Sequence, residues 1–133
     1  MTDLLSRLRT AEAGSRELDA GMHMHFHKPN PGFRWDFDDG EGRQTLWMRR
    51  PNHAGIHINI PQHTTDLNAI VALCEKQNNP VRTLDFEDMT ASVYSPKLHH
   101  ECTARHRDMC LALCIALLTA VEAKREEEAQ ADE

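Results

Sequence analysis

The sequence predicts an α+β fold: a small three-layer helix–sheet–helix sandwich with a mostly antiparallel sheet and a long buried C-terminal helix. Three observations carry that expectation. Cys110, Leu113, Cys114, Leu117, Leu118 and Val121 keep an i, i+3, i+4 rhythm over three turns, and Leu111 and Ile115 widen the stripe until its middle is apolar nearly all round. Phe33-Arg-Trp-Asp-Phe-Asp38 alternates aromatic with polar residues, the pattern of a strand with one face in a core. Elsewhere short strand-like runs are joined by turn residues, which makes hairpins and antiparallel pairing dominant.

In chain order, Leu4, Leu5, Leu8 and Ala11 make one apolar stripe of a helix from about Asp3 to Ala13, with Thr2 as its cap. Gly14 interrupts, and Ser15 caps a second short helix containing Leu18. Gly21 and the run Met22-His-Met-His-Phe-His27 blur its end, and Lys28-Pro-Asn-Pro-Gly32 is a loop. After the Phe33–Asp38 strand, Asp39-Gly40 begins a loop that reaches Gly42, and Thr45 to Arg49 is the returning strand. Pro51-Asn-His53 turns the chain into a third strand, Gly55 to Ile60, with Ile56, Ile58 and Ile60 facing one way and His57 and Asn59 the other. Thr65 caps a helix from Asp66 to Lys76 whose buried face is Leu67, Ile70, Val71 and Cys74, and Asn78-Asn-Pro80 stops it. Val81 to Phe86 and Thr90 to Tyr94 form a second hairpin, Ser95 to Glu101 is a loop, and the final helix runs from Ala104 to Glu127. The order is α-α-β-β-β-α-β-β-α, with helices over both sheet faces.

A chain of 133 residues fits one domain, here residues 1–125 with a solvated acidic tail at 126–133. Only seven residues are aromatic, so the core must be mostly aliphatic with Met and Cys. The net charge of −6 is concentrated: five acids lie in the tail, and the rest holds 15 bases against 16 acids. That balance lacks the basic excess of a nucleic-acid binder, and direct nucleic-acid binding is not expected. No run reaches the ~18 apolar residues of a membrane span. The start, Met-Thr-Asp-Leu-Leu-Ser-Arg7, lacks the order of a signal peptide. Of the four cysteines, Cys102, Cys110 and Cys114 fall on one predicted helix, where they cannot pair with one another, and a reduced cytoplasmic protein is the simplest reading.

Three stretches, Thr2-Asp-Leu-Leu-Ser-Arg-Leu8 with Ala11-Glu-Ala-Gly-Ser-Arg-Glu-Leu-Asp19, Thr64-Thr-Asp-Leu-Asn-Ala-Ile-Val-Ala-Leu73, and Ala112-Leu-Cys-Ile-Ala-Leu-Leu118, resemble the phage ABA-sandwich domain family of small bacteriophage and prophage proteins. The resemblance covers about a third of the chain. It implies the helix–sheet–helix sandwich and a phage origin, hence the cytoplasm of an infected bacterial cell. Its motifs are packing and capping residues, and no catalytic set comes with them.

Two constellations invite chemistry. His23-x-His25-x-His27 would converge on one metal in a strand, with zinc as the ion, whereas in a helix only His23 and His27 pair; the competing reading is exposed histidines at a helix end. Lys97, His99, His100, Arg105 and Arg107 flank the start of the final helix, where unpaired N–H groups attract anions, and Arg49 and Arg50 join them if the sheet brings them near. The competing reading there is a solvated loop. Cys102, His106, Cys110 and Cys114 repeat every four residues, but each step climbs about 6 Å, so the outer members are too far apart for one ion and the ladder reads better as packing. No phosphate loop, nucleophile elbow or zinc-protease motif occurs, no catalytic residue is assigned, and no cofactor is required. The leading expectation is a non-enzymatic phage accessory protein that occupies a host protein, in counter-defence. The alternatives are a sponge for a nucleotide signal at the His/Arg patch, and a metal-binding protein or metal-dependent enzyme using the histidines. A homodimer would complete the apolar helix.

Overall fold

The computed structural model describes residues 2–38 and 44–131. Among them the chain forms α1 (Thr2–Thr10), α2 (Arg16–Phe26), β1 (Arg34–Asp38), β2 (Thr45–Arg49), β3 (Ile56–Ile58), α3 (Leu67–Lys76), β4 (Val81–Asp85), β5 (Thr90–Ser95), β6 (His100–Arg105) and α4 (Met109–Ala131). The fold is α+β, its sheets are antiparallel and its last helix is long, as expected. The strands divide, however, into two three-stranded sheets, β1-β2-β3 and β4-β5-β6. No helix among the described residues is long and apolar enough to cross a membrane.

The reason for two sheets lies in α2, which is apolar on two sides. Leu18 and Met22, four residues apart, enter the main core, while Ala20 and Met24 join Leu46, Ile60, Trp35, Phe37 and Ile58 in a smaller cluster on the first sheet. Register places Trp35 opposite Met48, Phe37 opposite Leu46, and Ile56 and Ile58 opposite Met48 and Leu46, so all six share one face. In the second sheet Val81, Val93 and Cys102 align across the strands, as do Leu84, Ala91 and Ala104. That face receives α4. The opposite face is polar, with Arg82 at a β-bulge laying its guanidinium 4.6 Å from the Tyr94 ring.

Residues 111–118 of α4 are all buried, because β5 and β6 lie against the helix on one side and α1 and α3 on another. A helix apolar all round needs such enclosure. Each of its fully buried leucines contributes roughly 1.5–3 kcal/mol by leaving water. Helix α3 ends as expected, with Asn78 at φ 59° and the Asn79 N–H donating 2.9 Å to the Cys74 carbonyl. Its N-cap is Asp66, whose carboxylate accepts from the Asn68 N–H at 3.0 Å, rather than Thr65. The Asp39-Gly40 turn lies outside the described residues.

The largest correction concerns residues 95–108. The expected loop shrinks to the turn at residues 96–99, its end and the first turn of the final helix are instead β6 and a short connection, and α4 begins at Met109. Cys102 therefore sits on a strand and His106 between elements, which dissolves the four-residue ladder. His106 fastens this connection. Its Nδ1 accepts from the Asp108 N–H at 2.9 Å, so Nε2 carries the proton and donates to the Ala11 carbonyl at 2.8 Å. His106→Ala removes both bonds and is expected to lower stability by about 1–3 kcal/mol, read as a reduced urea midpoint at constant slope; an unchanged midpoint would refute the role.

Candidate functional site

The first sheet carries a cationic cleft. Pairing sets Arg34 opposite Arg49 at the strand ends, and the turn after β2 adds Arg50, Pro51 and His53. Together they line a cavity of about 290 Å³. Two guanidiniums lie over aromatic rings, Arg49 at 4.8 Å from Trp47 and Arg50 at 5.1 Å from Phe33, which restricts their motion before any ligand arrives. Arg50 also reaches the His53 Nε2 at 2.5 Å. Arg49 is paired with Asp36 at 2.6 Å. Among the described residues no carboxylate pairs with Arg34 or Arg50.

Of the seven residues expected to form one anion patch, only Arg49 and Arg50 lie in this cleft. Lys97, His99 and His100 sit at one end of β6 and Arg105 and Arg107 at the other, roughly 20 Å apart at the rise of a strand. Three of these are already matched: Lys97 with Glu128, Arg105 with Asp88 at 3.8 Å, and Arg107 with Glu12 at 3.3 Å. The start of α4 is also occupied, since the Asp108 carboxylate accepts from the Leu111 N–H at 3.2 Å. Arg34 and His53 were not anticipated. The signal for Arg34 was its place in the hairpin opposite Arg49.

The histidine run is helical, not extended, so His23, His25 and His27 do not share a face. His23 and His27 stack at 4.2 Å with an interplanar angle of 13°, and His23 meets the Trp35 ring edge-on at 5.6 Å. His25 points elsewhere, against Phe26. The third imidazole beside the stacked pair is His63, from the segment between β3 and α3. Among the described residues no three His, Cys, Asp or Glu side chains stand close enough together to hold one metal ion.

Burial pushes His23 and His25 down to about 4 from 6.5, with neighbouring positive charge (His27, His63 and Lys76 at His23; Arg125 at His25) adding to the effect. These rings are neutral in the fold and protonate more readily when unfolded. Their contribution to stability is thus present above about pH 6.5 and lost as pH falls toward 4. Discounted for their partly solvated edges, the loss is about 1–2 kcal/mol per ring. A melting temperature that declines between pH 6.5 and 4, and declines less in His25→Phe, is the expected result; parallel profiles for the two proteins would contradict it.

The cysteines are all free. Burial pushes Cys74 up to about 12, Cys110 to about 11, Cys114 well above its ordinary value and Cys102 upward as well, so none ionises readily. No protein-family model, curated protein or solved structure matches the chain.

Proposed function

We propose that the protein works by binding rather than catalysis, as a bacteriophage accessory protein that captures a phosphate-bearing small molecule of the nucleotide class in the Arg34/Arg49/Arg50/His53 cleft. The setting is counter-defence in the cytoplasm of an infected cell, where sequestering a nucleotide signal would silence the response it triggers. One observation carries this reading: three guanidiniums face one cavity, and two of them have no carboxylate partner among the described residues. Planar guanidinium forks match phosphate oxygens and keep their charge at every relevant pH. The buried, poorly ionised thiols support binding over nucleophilic chemistry. A thermal-shift panel of inorganic phosphate, pyrophosphate, and mono-, di- and cyclic nucleotides tests it. Stabilisation by phosphate-bearing members is expected, and no shift with any of them would sink it.

A second reading, occupation of a host protein, is favoured by Ile56, which is 40% exposed on the apolar face of the first sheet. Specific capture of a bacterial protein, abolished by Ile56→Lys and indifferent to Arg50→Ala, would select it instead.

A further inference from the structure

A second cavity, separate from the arginine cleft, opens between α2, α3 and residues 59–63, with a volume of about 320 Å³. Its walls combine apolar surface (Pro61, Ala72, Leu73) with His23, His27, His63 and Lys76. Two features are unexplained by folding. His63 is 4% exposed and its Nδ1 has no hydrogen-bond partner, and the Nδ1 of His23 is likewise buried and unpartnered. Buried polar atoms are nearly always bonded, so folding leaves two imidazole edges unsatisfied in the wall of one cavity; both nitrogens are closed to a water-sized probe, so a ligand would meet these rings at their other atoms. Lys76 pairs with no carboxylate among the described residues.

We propose that this cavity binds a small organic carboxylate, its carboxyl group held by Lys76, His27 and His63 and its carbon body against Pro61, Ala72 and Leu73. His27 Nδ1 can only donate to the His23 carbonyl, 3.1 Å away, which leaves Nε2 a bare acceptor in the neutral ring, able to hold a carboxylate only after gaining a proton. The single permanent charge, on Lys76, suits a monoanion. A phosphate dianion is better matched by the three arginines of the other cleft. The apolar walls require a ligand with a hydrocarbon portion, and the volume falls in the range of about 300–1,000 Å³ found for small-molecule pockets.

Proton uptake should accompany binding. Burial lowers the proton affinity of His63 and of His23; around them Asp19 from α2 raises that of His63, His27 lowers both, and His63 and Lys76 from α3 lower that of His23. An anion among them favours the imidazolium, which adds a donor to the carboxylate.

Calorimetric titration with benzoate and its neutral counterpart benzamide, at about pH 6 and about pH 8, tests the site. Benzoate should bind one to one and several-fold more tightly at the lower pH, and benzamide should show no saturable heat. Lys76→Gln should weaken benzoate about tenfold, while Arg34→Ala/Arg50→Ala should leave it unchanged. Absence of saturable binding by benzoate and by butyrate at both pH values would overturn the proposal, as would equal binding of benzamide. Both readouts use the wild-type protein and do not depend on a variant folding.

Discussion

Asp19→Ala is expected to destabilise the fold by about 3–5 kcal/mol, the cost of stranding the partners of a buried charge. Asp19 is fully buried and accepts three hydrogen bonds, from the Thr64 N–H at 2.8 Å, the Thr64 hydroxyl at 2.6 Å and Arg16 Nη1 at 2.9 Å. The Thr64 hydroxyl has one proton and lies 3.0 Å from the Ser15 carbonyl as well; the shorter contact with a carboxylate takes it. That hydroxyl in turn accepts from the Ser15 N–H at 3.0 Å. Arg16 completes the knot by donating to the Ile60 carbonyl at 3.0 Å. The junction of α1 and α2 is thus tied to the segment leading into α3. Gly14 permits the approach, because a Cβ there would stand 1.9 Å from the Thr64 carbonyl oxygen. In the alanine variant the Arg16 charge and the Thr64 N–H lose their acceptor inside the protein. Asp19→Asn retains one acceptor and should cost less, about 1–2 kcal/mol. Chemical denaturation separates the two; an alanine variant within about half a kcal/mol of wild type would show that the network is not a structural anchor.

The second large effect concerns binding. Removing the two guanidiniums that have no carboxylate partner among the described residues, in Arg34→Ala/Arg50→Ala, should weaken a phosphate-bearing ligand about 100-fold, close to 3 kcal/mol. Arg50→Lys should not restore the loss, since an ammonium on a flexible stem cannot present a fork from above the Phe33 ring. Affinity should also fall with added salt, as exposed charges are screened. Arg49→Ala is a less clean test, because it frees Asp36 to repel the anion as well as removing a donor.

The sequence announced some of this architecture and concealed the rest for physical reasons. The burial of α4 was legible because an apolar surface on every side of a helix has only one stable outcome. The second sheet was partly hidden. In β6 the inward residues are Cys102 and Ala104, too small to stand out against their polar neighbours, and the Cys/His spacing imitates a helical period. The division into two sheets required recognising that Ala20 and Met24 form a second apolar side of α2, although alanine is a weak signal of burial. Ser15 was readable as a cap, and the cap of α3 was read one residue early, at Thr65 in place of Asp66. The bonding of Asp19 to Thr64 was not readable, because it joins residues 45 apart.

The sites divide the same way. Arg49 and Arg50 were singled out as a pair, but their neighbours could be named only once strand register set Arg34 beside them. His23 and His27 were legible as an i, i+4 pair in a helix. His63, their neighbour across the cavity, carried no motif and owes its position to the turn that the Asp19 network holds in place.

Calorimetric titration of pyrophosphate and a nucleotide panel into the wild-type protein and the Arg34→Ala/Arg50→Ala variant tests the arginine cleft most directly. Saturable binding of at least one phosphate-bearing ligand by the wild type is expected, weakened about 100-fold in a double variant that still unfolds cooperatively, its urea midpoint lowered only by the loss of the Arg50 contacts with Phe33 and His53. No saturable binding by the wild type, or equal affinity in a folded double variant, would contradict it.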